Sequence, residues 1–167
     1  MALSQSSALT MSQPDAAAKA ARDKLLKDNN INPRTGLATD YLNHFNEAIM
    51  LLEMIPDMPE CAEDFLSWRP LTYRQHFEAS NLKARELTIE AYEQAEVAMK
   101  AEFDRVIGSM RDILVAVSEG MRSTRQDTTR IRLATEAIGW IQPLLAMAGA
   151  LIHGVSDGTD IDSIMES

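Results

Sequence analysis

Apolar residues recur every three or four positions along most of this chain, and no segment alternates apolar and polar residues with period two. Three- and four-residue spacing places side chains on one face of an α-helix. Valine is scarce, whereas Ala, Leu, Met and Glu are plentiful, which favours helix over strand. We therefore expect an all-α protein, a helical bundle of four or more helices.

The N-terminal half carries caps and prolines that mark the ends of its helices. Ser12 and Pro14 suit the start of a first helix, and Pro56 stops a second one that Thr39 begins. Thr72 suits the N-cap of a short turn. We place these elements at 12–28, 39–55, 59–68 and 72–78, after a flexible lead over 1–12.

A long helical hairpin is expected in the C-terminal half. Its first helix should run over 81–119 with Gly120 at the C′ position, and its apolar spacing is interrupted only by Glu96. A capping box at 123–126 would start the last helix, over 124–153, which Pro143 should kink. The domain then spans 13–153, and 154–167 reads as an acidic, flexible tail.

The last helix carries two apolar seams, so it is apolar nearly all round. Such a helix is central in a bundle or lies in a subunit interface. One seam includes Ile131, Ile138 and Leu145 and would pack inside the protomer. We assign the second seam to a homodimer interface: Leu133, Ala137, Trp140, Leu144, Met147 and Leu151.

Membrane association is the second alternative reading of this helix, as a membrane-associated or tail-anchored protein. The segment 137–155 has no Asp, Glu, Lys or Arg and is long enough to span a bilayer. Gly139, Gln142, Pro143 and His153 make the segment less hydrophobic than a typical membrane span. The two apolar seams account for its composition without a membrane. Because the first 13 residues do not resemble a secretory signal, we expect a cytoplasmic protein.

The net charge of the chain and its distribution indicate which partners suit it. The formal net charge is −9, from 25 acidic and 16 basic residues, which disfavours nucleic acid and anionic membranes and suits a basic protein partner. The acids concentrate over 37–68, a segment without Lys or Arg, and arginines cluster near the start of the last helix. Exposed methionines and aromatic residues suit recognition. We predict a partner patch at Met50, Met54, Trp68 and Tyr73.

The first alternative is a metal-binding, di-iron-like helical bundle with redox or oxygen chemistry. Asp40, His44 and Glu47 follow i, i+4, i+7 spacing and share one side of a helix, and His76 and Glu78 would complete a site for iron, manganese or zinc. The chain has no Glu-x-x-His motif, which di-iron bundles repeat on two helices. Solvated acids beside a half-buried histidine explain the same residues.

No motif in the sequence indicates a particular reaction. Cys61 is the only cysteine, there is no Gly-x-Ser-x-Gly elbow, and the seven glycines do not cluster as a phosphate-binding loop requires. The leading hypothesis is therefore a non-enzymatic interaction or regulatory module without a cofactor, homodimeric through its last helix.

Overall fold

Residues 2–80 and 84–154 are described in the computed structural model, with side chains from Asp15 onward. Over these residues the protein forms seven α-helices, which confirms the all-α prediction. They are α1 (Ala2–Asp28), α2 (Leu42–Met54), α3 (Ala62–Ser67), α4 (Tyr73–Ala79), α5 (Arg85–Glu93), α6 (Val97–Arg122) and α7 (Asp127–Ile152).

The hairpin of α6 and α7 is the centre of the fold, as predicted. These two helices form the most extensive helix pair, α2 packs across α7, and α3 packs against α6. The large side chains that are almost completely buried come from several of these helices, so they form one core. They include Tyr41, Phe45, Phe65, Phe77, Phe103, Leu52, Met110, Leu114 and Met121.

Helix α1 is longer than the sequence predicted. It begins at Ala2, whereas the sequence predicted a start at Ser12, after a flexible lead. Residues 2–13 contain no glycine or proline and are rich in good helix formers, which explains the extension. From Asp15 to Leu25 the helix is largely exposed, and the side chain of Leu26 is buried in the core. Arg22 joins it to α5 through Glu90 and Gln94.

The segment between α1 and α2 is a tight loop held by specific hydrogen bonds. Ile31 and Ala38 form an isolated antiparallel bridge, and Thr35 Oγ1 donates to the Ile152 carbonyl at 2.6 Å, at the end of α7. Gly36 has φ +74°, and a Cβ there would lie 2.7 Å from the Ala91 carbonyl oxygen. Only glycine fits this close approach to α5 without strain.

The helix predicted over 81–119 is two helices. Residues 81–83 lie outside the described residues, and the backbone at Glu96 is extended between α5 and α6. The break turns α5 onto α4, while α6 continues along α7. Tyr92 Oη donates to Asp104 Oδ1 at 2.6 Å across the break. The interruption of the apolar spacing at Glu96 was the sequence signal for it.

The turn between α6 and α7 differs from the predicted capping box. Helix α6 continues past Gly120 to Arg122, and no side chain caps the start of α7. Instead, the Arg130 guanidinium donates to the carbonyls of Met121 and Thr124. Gly120 permits close helix packing rather than a cap, because a Cβ there would lie 3.2 Å from Leu133 Cδ1.

Candidate functional site

The outward side of α7 changes character halfway along the helix. Its first half exposes charged and polar residues, including Arg132 and Glu136. From Ala137 to Ile152 it carries no Asp, Glu, Lys or Arg. The exposed residues of this second half, which we call the outer α7 face, are Gly139, Trp140, Gln142, Pro143 and Ala146.

Trp140 is the largest side chain on the outer α7 face. It is 53% exposed, whereas the other tryptophan, Trp68, is 8% exposed. Gly139, Pro143 and Ala146 follow four- and three-residue spacing, so they form a row along the helix. Nothing lies within 4 Å of where a Cβ on Gly139 would be. The face is therefore open, uncharged and lined by small residues beside one large aromatic.

The predicted interface seam is only partly on this surface. Ala137 and Leu151 are buried, so their assignment to an interface between copies is wrong. Leu133, Leu144 and Met147 are half-buried and pack against the protomer's own core. The reason is that the hairpin partner α6 already covers this side, as the contact of Leu133 with Gly120 shows. Of the six residues, Trp140 alone is mainly exposed.

Helix α7 is long and apolar enough to cross a membrane, judged by length and composition alone. It is the one such helix in the described part of the chain. Within its apolar stretch, 28% of the residues are buried in the protein. Four of its small and branched residues are nevertheless fully buried against the bundle: Ala134, Ala137, Ile141 and Ala148.

Only two of the four residues of the predicted partner patch are exposed. Met50 is 60% exposed, and Met54 is exposed as well, as is Met58, which the sequence reasoning missed. Trp68 and Tyr73 are buried, so their inclusion in the patch is wrong. Tyr73 stacks on Tyr92 with ring centroids 4.3 Å apart, and its hydroxyl accepts the Ala38 N–H. Both aromatic residues pack the connector, the segment between α3 and α4, against the core and are not free to bind a partner.

His44 holds the connector between α3 and α4. Its Nε2 accepts the Leu71 N–H at 2.8 Å, and Tyr41 Oη donates to the Leu71 carbonyl at 2.7 Å. The imidazole also stacks on Trp68, with centroids 4.6 Å apart. Burial, and secondarily the nearby His76, lowers the pKa of His44 to about 4. A neutral imidazole is the form that this hydrogen bond requires.

The five predicted metal ligands are not assembled into one site. Asp40 Oδ2 lies 3.3 Å from His76 Nε2, and the His44 and His76 rings are 5.8 Å apart. The lone pair of His44 Nε2 is occupied by the Leu71 N–H. Glu78 pairs with Arg74 at 2.8 Å, and Glu47 is exposed. In the described ranges, no three His, Cys, Asp or Glu residues are grouped so that they could hold a metal ion.

Two further features restrict the chemistry of the chain. Cys61 is buried, and this burial raises the pKa of its thiol, which disfavours the nucleophilic thiolate. Glu63 in the acidic segment and Arg130 in the basic cluster are 3.2 Å apart, so these two regions meet partly within the fold.

Comparison with protein families, curated proteins and solved structures finds no match to this chain.

Proposed function

We propose that this protein is a non-enzymatic interaction or regulatory module that forms a homodimer through the outer α7 face. The observation that carries the proposal is the uncharged second half of α7, where Trp140 is 53% exposed on an otherwise charged molecule. Large aromatic side chains at the centre of a small-residue surface are typical anchors of protein interfaces.

The shape of the face suits a second helix. Glycine and alanine let two helix backbones approach closely, and Trp140 beside them supplies apolar area for a partner to cover. A twofold dimer uses the same patch on both copies, so each Trp140 would pack on the partner's α7. This arrangement covers the exposed apolar surface without disturbing the buried side of the helix.

The charge distribution supports the same location. Two copies of a chain with net charge −9 repel each other over most of their surfaces. The residues from Ala137 to Ile152 are free of carboxylates, so contact there brings the fewest like charges together.

Packing of α7 favours self-association over insertion into a bilayer. A membrane-spanning α7 would have to leave α2 and α6 and would uncover residues that are now fully buried, among them Ala137, Ile141 and Ala148. Losing this packing would open the core of the bundle. A second copy of α7 can cover the outer face while the bundle stays intact.

The acidic segment with its methionines is the surface that we assign to a basic protein partner. Met50, Met54 and Met58 are exposed, and they lie in the segment 37–68, which has no Lys or Arg. Flexible apolar side chains among carboxylates suit a basic, amphipathic helix.

Sedimentation velocity on matched variants tests the dimer proposal. Trp140→Asp places a charge in the proposed interface and should convert the dimer to a monomer, because an unpaired carboxylate there would be desolvated. The control is Val97→Asp, which makes the same kind of change at a residue that is 82% exposed at the start of α6. Circular dichroism should show both variants to be folded.

The control variant should remain dimeric. Equal sedimentation of Trp140→Asp, Val97→Asp and the unmodified protein would refute the assignment of the interface to the outer α7 face. Flotation of the unmodified protein with neutral phospholipid vesicles, and loss of flotation in Trp140→Asp, would instead assign the face to a membrane surface.

A further inference from the structure

A cavity of about 260 Å³ lies between the connector after α3 and the C-terminal half of α6. Trp68, Arg69 and Pro70 form its connector side. Ser118 and Arg122 contribute the polar part of its α6 side. The cavity opens to the surface, since both arginines are exposed, whereas Ser118 is buried. Leu114 and Val115 complete the lining with apolar groups.

The polar groups that line this cavity are donors of hydrogen bonds. Trp68 is buried, and its Nε1 has no hydrogen-bond partner in the described part of the chain. This nitrogen is out of contact with solvent, so the donors that face the cavity belong to Arg69, Arg122 and Ser118. Arginine guanidinium groups only donate, and the Ser118 hydroxyl can donate as well. No carboxylate is among the lining residues.

The two guanidinium groups are adjacent. Arg69 Nη1 and Arg122 Nη2 donate to the same oxygen, the Leu66 carbonyl, at 2.6 and 2.9 Å. Neither arginine forms an ion pair with a carboxylate in the described ranges. Two neighbouring like charges repel each other. A guanidinium carries several N–H donors in a planar fork, a geometry that suits the oxygens of an anion.

We propose that this cavity binds the phosphate group of a small organic phosphate monoester. Arg69 and Arg122 would bind the phosphate oxygens, and a dianion would compensate both guanidinium charges. The Trp68 ring, which lines the cavity, would lie beside the bound ligand. Leu114, Val115 and Pro70 would hold the organic part, since the cavity is larger than a phosphate ion alone requires. This site is separate from the outer α7 face.

The indole N–H resonances give a direct readout of binding. The chain has two tryptophans, so its ¹H–¹⁵N spectrum should contain two indole signals, which a Trp140→Phe variant assigns. Phenyl phosphate is titrated at constant ionic strength, with inorganic phosphate and phenol as comparisons. The Trp68 signal should move in a saturable manner, with a dissociation constant of about 1 mM or below for phenyl phosphate. Inorganic phosphate should bind more weakly, and phenol should leave the signal in place.

Charge variants separate a specific site from general attraction. Arg122→Gln and Arg69→Gln should each weaken phenyl phosphate binding at least about tenfold, which is the scale of one charge-assisted hydrogen bond. Arg122→Lys keeps the charge but loses the fork and should bind with intermediate affinity. Arg132→Gln removes an exposed arginine of α7 and serves as the matched control. An unchanged Trp140 signal and circular dichroism spectrum show that each variant is folded.

Three results would overturn the proposal. The first is a Trp68 signal that does not move at about 20 mM phenyl phosphate, far above the expected dissociation constant. The second is an equal loss of affinity in Arg132→Gln, which would reduce the effect to net charge. The third is an equal response to phenol, which would assign the cavity to apolar molecules without any role for the guanidinium groups.

Discussion

Protonation of His44 should weaken the fold at mildly acidic pH. The imidazole is 6% exposed, and its Nε2 accepts the Leu71 N–H. A proton on Nε2 would replace the acceptor by a second donor and place a charge beside His76. Burial and His76 therefore lower the pKa of His44 from 6.5 to about 4 in the folded protein.

The direction of the pH effect follows from proton binding. Between pH 6.5 and about 4 the unfolded chain binds more protons at this site than the folded protein does, so stability falls as the pH falls. The contribution of His44 is fully present above pH 6.5 and lost at about pH 4. At 1.36 kcal/mol per pKa unit, the whole effect is about 3 kcal/mol. About 2 kcal/mol of it should be lost between about pH 7.5 and pH 5.

Urea unfolding monitored by circular dichroism measures this contribution. His44→Gln should be less stable than the unmodified protein at neutral pH, because it loses the stack on Trp68. Its unfolding free energy should nevertheless change by about 2 kcal/mol less between the two pH values. His153→Gln removes an exposed imidazole at the end of α7 and should follow the unmodified protein. An identical pH dependence in His44→Gln would refute the reasoning.

Two glycine substitutions should change stability in opposite directions, each measured by urea unfolding. Gly36→Ala should lower the unfolding free energy by more than about 1 kcal/mol, because φ is +74° and the new Cβ would lie 2.7 Å from the Ala91 carbonyl oxygen. Gly139→Ala should raise the unfolding free energy of the monomer by about 0.5–1 kcal/mol, because the site is helical and its Cβ position is open. Destabilisation by Gly139→Ala, or none by Gly36→Ala, would contradict this.

The helices were predictable where local signals agree with the packing. Pro56 stops α2 close to the predicted position, and Thr72 caps α4 through a capping box with Gln75. The break after α5 was missed because Met99 and Phe103 continue the apolar spacing beyond it. Glu96 marked the position, but whether the helix breaks there depends on the contacts of α5 with α4, which local spacing does not determine.

The candidate sites were less predictable, because they depend on which side of a helix its neighbours cover. Leu133 and Trp140 belong to one seam by spacing, but α6 covers the first and leaves the second exposed. Arg69 and Arg122 are far apart in sequence, and their convergence on the Leu66 carbonyl exists only in the folded chain. The metal prediction failed to anticipate that His44 would accept a backbone hydrogen bond.

Light scattering of the purified, detergent-free protein over a range of concentrations tests the central claim most directly. We expect a mass near twice 18.5 kDa at high concentration, which falls toward that of the monomer on dilution. On dilution, the fluorescence of Trp140 should shift to longer wavelength as the indole becomes exposed to water. A mass that remains at 18.5 kDa at every concentration would contradict the homodimer.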